Sequence, residues 1–231
     1  TFTLPSEASK RIFWTLNGPI ESSIQVAPNP YYEPGDVMEP YFRPSAVDDS
    51  PQPNWHPAAQ ESLREPPISE ATVRVDCIDG WEALWKELNY ECTNIRIDPR
   101  RPRAKHILLE VRAGDRGFIT IHDYISAVHP WLMDMRESIL YASGKGDGRG
   151  VPWPSETRLT VVHFGNGPIT IGNGDKQWAR SHRKPNPPVY MSKAERTRAT
   201  EKSSQRAMER SKAISAARIQ ELERLRQQGN A

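Results

Sequence analysis

Alternating apolar and polar positions are clearest at residues 71–77, ATVRVDC, and predict a half-buried strand. The next stretch changes period. Trp81, Leu84, Trp85 and Leu88 recur at helical spacing, so a helix is expected from an Asp79 cap to about Asn89, with this stripe as core. Residues 91–97, ECTNIRI, and 106–112, HILLEVR, read as strands on either side of a basic turn holding Arg100, Arg101, Arg103 and Lys105. Thr120 can cap a second helix, with Asp123 in its first turn and Tyr124, Ile125 and Val128 along one face. Pro130 is expected to end or kink that helix, and Trp131, Met135 and Ile139 continue an apolar stripe to about Tyr141. The glycine-rich residues 144–150 predict a loop, and residues 157–164 and 168–172 flank a Gly-Asn-Gly turn as a hairpin.

Upstream of Ile68 no such period is visible. Twelve of the 21 prolines lie between Pro5 and Pro67, and proline both lacks an N–H and disfavours helix before it. Trp14, Tyr31, Tyr32, Tyr41, Phe42 and Trp55 are interleaved with these prolines, whereas flexible linkers are poor in aromatics. Residues 1–65 therefore read as an extended arm. Its aromatics would fill pockets either on a partner or on the chain's own domain, and both readings stand.

Downstream, residues 176–191 read as a linker and residues 192–231 as a helical tail. Ser192 can cap a helix running to about Gln228, with Gly229 as its stop. Met208, Ile214, Ile219, Leu222 and Leu225 build no heptad, so a self-sufficient coiled coil is not expected.

Composition sharpens this division. Of 231 residues 36% are hydrophobic, and mean hydropathy is −0.71. That polarity points to a core domain of residues 66–175 with extended segments around it, and residues 66–175 are expected to fold alone. The fold class expected is α+β: a small mixed sheet, two or three packed helices, an N-terminal arm and a long C-terminal helix. The formal net charge is +2, but it is unevenly spread. From Gln177 onward there are 13 basic and 5 acidic residues, leaving 18 basic and 24 acidic of the totals 31 and 29. An acidic body with a basic tail suits an acidic partner surface. The tail cations are Arg180, Arg183, Lys184, Lys193, Arg196, Arg198, Lys202, Arg206, Arg210 and Lys212.

Cys77 and Cys92 are the only cysteines and form no C-x-x-C pair, so two reduced thiols in an intracellular protein are expected. Cytoplasmic, nuclear and mitochondrial sites are not distinguishable. No run of 18 apolar residues occurs, and the first residues lack a signal-peptide core, although residue 1 is not Met.

Chemistry-bearing motifs are few. The six histidines show no H-E-x-x-H spacing, no G-x-S-x-G marks a nucleophile, and Lys145 is not followed by the Ser or Thr of a phosphate loop. No catalytic residue, metal site or cofactor is expected, and no small-molecule substrate.

One resemblance adds to this reading. Pro66-Pro67-Ile68 leads into a strand; Val111 to Gly117 fits V-x-A-x-x-x-G; and Thr120-Ile121-His122-Asp123-Tyr124-Ile125-Ser126-Ala127-Val128 fits T-[VI]-x-D-[VY]-[LI]-x-A-[IV]. In these motifs residues 66–131 resemble a domain of unknown function widespread in fungi. The resemblance implies a fungal source and a small α+β domain, and carries over no activity.

The expected function is that of a non-enzymatic scaffold or accessory subunit, binding other proteins of a larger assembly through arm and tail. The alternative is an RNA-associated component of a ribonucleoprotein particle, with the basic tail on RNA.

Overall fold

The computed structural model describes residues 3–43, 54–91, 107–147, 151–185, 197–198 and 200–209. The chain divides into two compact units, residues 1–184 and 185–231.

The first unit is α+β. Its centre is a mixed seven-stranded sheet in the order β4-β3-β2-β10-β11-β8-β9. These strands are β2 (Ile12–Thr15), β3 (Ile24–Val26), β4 (Glu39–Pro40), β8 (Glu70–Val75), β9 (Leu109–Arg112), β10 (Leu159–His163) and β11 (Gly167–Asn173). Only β11 and β8 run parallel, with Gly167 opposite Val73 and Ile169 opposite Val75; the other neighbours are antiparallel. The expected hairpin is β10–β11, bulged between Val161 and His163. Two small ribbons flank the sheet: β1 (Leu4–Pro5) pairs β7 (Arg64–Glu65), and β5 (Phe42–Arg43) pairs β6 (Asn54–Trp55).

The boundary expected at residue 65 does not exist. β2 lies between β3 and β10, so the N-terminal stretch supplies the middle of the sheet. All four residues of β2 are buried. Alternation along the strand explains how. Ile12 and Trp14 enter a large apolar cluster, while Phe13 on the other face joins a smaller one with Ala27 and Trp178. Prolines are accommodated where no ladder hydrogen bond is needed. Pro40 ends the edge strand β4 and Pro19 caps the short helix α1 (Ile20–Ser23).

Three helices contribute to the large cluster: α2 (Asp76–Leu88), α3 (Ile121–Asp134) and α4 (Arg136–Gly146). The cap of α3 matches expectation. Thr120 Oγ1 accepts from the Asp123 N–H at 3.0 Å, and the Asp123 carboxylate accepts from the Thr120 N–H at 3.0 Å, a reciprocal capping box. Pro130 does not end α3; the break falls at Met135. Pro130 is exposed, and the carbonyl it leaves unpaired belongs to Ser126 on the same exposed face, where water can satisfy it.

In α2 the expected stripe is rotated. Ile78, Glu82 and Trp85 are its buried residues, whereas Leu88 is 69% exposed and Trp81 half-buried. Glu82 is tolerated inside because Lys86 Nζ reaches its carboxylate at 2.6 Å. Asp79 lies within the helix rather than at its cap, 3.0 Å from Arg74.

The body also extends past residue 175. α5 (Asp175–Ser181) is part of the first unit, because the buried Trp178 indole N–H donates to the Ile12 carbonyl at 3.1 Å and its ring meets Phe13 edge-on at 4.9 Å. Residues 92–106, which hold all but Glu91 of the strand expected at 91–97 and the basic turn after it, lie outside the described residues.

In the second unit, residues 197–198 and 200–209 are helical and exposed throughout. The remainder of the expected tail helix lies outside the described residues. No helix among the described residues is long and apolar enough to cross a membrane.

Candidate functional site: an open cationic groove

The aromatic residues expected to dock an arm divide into three groups. Trp14 and Tyr41 are fully buried. Phe42 and Trp55 pack on one another at 4.9 Å with tilted rings, and Trp55 packs on His122 at 4.5 Å. Tyr32 packs on Trp178 at 5.4 Å. Tyr31 alone of the six is substantially exposed, at 43%. These aromatics therefore belong to the chain's own sheet and core, and Tyr31 is the most exposed of the six.

Trp14 anchors a buried polar chain. Its indole N–H donates to His129 Nδ1 at 2.9 Å, and His129 Nε2 lies 2.8 Å from the Gly18 carbonyl. Indole only donates and a carbonyl only accepts, so the imidazole is neutral with its proton on Nε2. Burial lowers the His129 pKa, as it does for His56, His122 and His182. Each of these rings is held below the ordinary 6.5 in the folded chain, so the unfolded chain binds more protons once pH falls below that value. Stability should hold at pH above about 6.5 and decline as pH drops from there through the lowered folded values. Melts across this range check the sign. A midpoint that stays level from about pH 7 to pH 5.5 would contradict it.

Tyr41 Oη and Ser126 Oγ each lie 3.3 Å from one nitrogen of His122. A hydroxyl–imidazole pair invites comparison with a nucleophile and base. The neighbouring Asp123 carboxylate is committed to the helix cap and does not orient the ring. His122 is packed beneath Trp55, and the arrangement reads as support for the β5–β6 ribbon. Burial pushes the Cys77 thiol up, which makes it a poor nucleophile. Cys92 lies outside the described residues. Among the described residues no group of three or more His, Cys, Asp or Glu could hold a metal ion.

The feature with the most directed chemistry is an open groove of about 450 Å³ beside the β10–β11 turn. Lys10, Tyr31, Arg64, His163, Asn166 and His182 are among its polar and aromatic lining, and no Asp or Glu among the described residues lines it. Proline and aromatic surface, from Pro5, Pro30, Pro168 and Phe164, completes the walls.

The turn itself is rigidly held. Tyr124 Oη donates to the Gly165 carbonyl at 2.8 Å and accepts from the Gly165 N–H at 3.1 Å. Gly165 has φ 135, and a β-carbon there would meet Arg64 Nη1 at 2.9 Å. The backbone there favours glycine, and the guanidinium lies over it. Asn166 Oδ1 accepts from the Thr72 N–H at 3.1 Å.

Arg64 is half-buried. Its Nε donates to Thr3 Oγ1 at 3.1 Å and its Nη2 donates to the Thr3 carbonyl. Burial lowers its pKa, with the Tyr124 phenol opposing. His182 also lines the groove. Its Nδ1–H donates to the Trp178 carbonyl at 2.9 Å, its ring stacks on Trp178 at 4.3 Å, and His163 stacks at 6.4 Å.

The basic tail residues are only partly in view. Arg180, Arg183 and Lys184 are exposed at the end of the first unit, and Arg198, Lys202 and Arg206 lie on the exposed helix of the second. Lys193, Arg196, Arg210 and Lys212 lie outside the described residues. The sequence offered Arg64, His163 and His182 no shared spacing, and the Gly-Asn-Gly turn was the one readable sign of the groove. No family model, curated protein or solved structure matches this chain, so its residues alone carry the functional argument.

Proposed function

We propose that this protein is a non-enzymatic accessory subunit that binds other proteins in a larger assembly, with its basic C-terminal helix as a principal docking element. One observation carries the reading. Every described residue at 197–209 is exposed, including Met208, so these residues bury no apolar face. A single helix of this kind is marginal in water, because nucleation is costly and its stability normally comes from packing. Scattered ion pairs contribute only about 0.2–0.5 kcal/mol each. A partner surface supplies what the helix lacks, and its excess of Lys and Arg selects an acidic one.

One part of the sequence reading changes. Docking no longer uses the buried aromatics of the arm, whereas the basic tail keeps its role. An RNA-associated role for the same cations is the competing reading, and it differs in its salt response, since phosphate neutralisation gives steep loss of affinity with ionic strength.

Deleting residues 192–231 should leave the melting midpoint of the body unchanged within about 2 °C and abolish co-migration with the assembly on sizing. Undiminished co-migration would reduce the tail to a solvated extension.

A further inference from the structure

Strand alternation segregates charge on the β1–β7 ribbon. Arg64 and Pro5 face the groove described above, while Glu65 and Ser6 line a separate cavity of about 460 Å³ on the other side. That second cavity also holds Glu7 and Glu61 alongside Arg11 and His56, so its charges are mixed. Among the described residues the first groove carries cations and no carboxylate. Among the described residues Arg64 has no carboxylate within salt-bridge reach. Two of its nitrogens are spent on Thr3, and Nη1 remains over the Gly165–Asn166 turn.

We propose that this groove is an anion-recognition site for an acidic or phosphorylated side chain carried on an extended segment of a protein partner, with Arg64 as its anchor. A half-desolvated guanidinium without a counter-charge is costly, and an incoming carboxylate or phosphoryl oxygen offsets that cost with charge-assisted hydrogen bonds. The two hydrogen bonds to Thr3 hold the anchor in place before binding, which limits the entropy lost on association. The walls decide the class of ligand. Pro5, Pro30, Pro168 and Phe164 offer apolar contact on either side of the anion, which suits flanking peptide side chains. A nucleic acid instead needs several cations spaced along its backbone. Here Lys10 is already engaged by Glu7, leaving one principal anchor.

The inference rests on the proposed function, but it is read at a different site. The experiment is an NMR titration of the isotope-labelled full chain with three short peptides that differ only at a central phosphoserine, glutamate or serine. The Gly165 and Asn166 amides and Arg64 Nε should shift and saturate, with the phosphoserine or glutamate peptide at least about tenfold tighter than the serine peptide. The tighter of the two charged peptides distinguishes a phosphorylated from an acidic source.

His163→Glu places a carboxylate in the groove without touching Arg64 and should weaken the charged peptides about tenfold or more. Lys176→Glu, exposed and outside the groove, should not. Arg64→Met tests the anchor directly, and His163→Glu keeps the test decisive if that variant fails to fold. Equal binding of all three peptides would overturn the proposal, as would indifference to His163→Glu. So would a uridine-rich single strand that binds the same amides more tightly than either charged peptide. Loss of the groove with tail-dependent incorporation intact would leave the proposed function standing.

Discussion

A chain lacking residues 1–65 will not show a cooperative melting transition. β2 and β3 lie inside the sheet, and their removal exposes the edge of β10, a strand buried at every position but His163. The same deletion takes Ile12, Trp14, Leu16, Ile24, Val26, Tyr41 and Leu63 out of the main apolar cluster. A single large-to-small change in such a core costs about 2–5 kcal/mol, and a domain holds only about 5–15 kcal/mol in total. Losing these side chains, with Ala58 and Ala59 of the same cluster and three strands of the main sheet, exceeds that reserve. Circular dichroism of residues 66–231 on heating is the check. A sharp two-state melt near that of the full chain would mean that the N-terminal stretch is an accessory wrap.

Trp14→Ala should be the most damaging single substitution. Trp14 is 0% exposed and is surrounded by aromatic rings: Tyr124 at 6.5 Å, Phe164 at 5.5 Å and His129 at 6.1 Å. Removing the indole leaves a cavity costing about 3–5 kcal/mol. It also strands His129 Nδ1 as a buried acceptor, a further cost of about 1–3 kcal/mol. Trp14→Phe keeps most of the ring contact and loses the N–H, so about 1–3 kcal/mol is expected from it. Urea unfolding of the three proteins gives the comparison. If Trp14→Ala stays within about 1 kcal/mol of the parent, the buried Trp14–His129–Gly18 chain does not hold the core together.

The C-terminal two-thirds of the body was legible because its signals are local. Thr120 and Asp123 cap a helix three residues apart, and a glycine turn joins β10 to β11. β2 was not legible for a physical reason. A strand buried on both faces shows a continuous apolar run, Ile-Phe-Trp, with no alternation to detect. Prolines at turns and on the sheet edge then concealed the elements between them. In α2 the two tryptophans drew the apolar stripe toward Trp81, whereas the buried face is set by Ile78 and by Glu82 paired to Lys86. The groove was the least visible feature. Arg64, His163 and His182 are brought together by β7, β10 and α5, and no spacing rule anticipates a site assembled from such distant segments.

The central claim is that the chain works as a bound subunit, and the mass of the particle carrying it tests that most directly. Sizing with in-line mass measurement, on tagged full-length chain in a native extract, should place it well above the 26.2 kDa of the chain alone. That mass should survive ribonuclease and fall when residues 192–231 are removed. Migration at 26.2 kDa, or collapse to it on ribonuclease treatment, would contradict a protein-bound subunit.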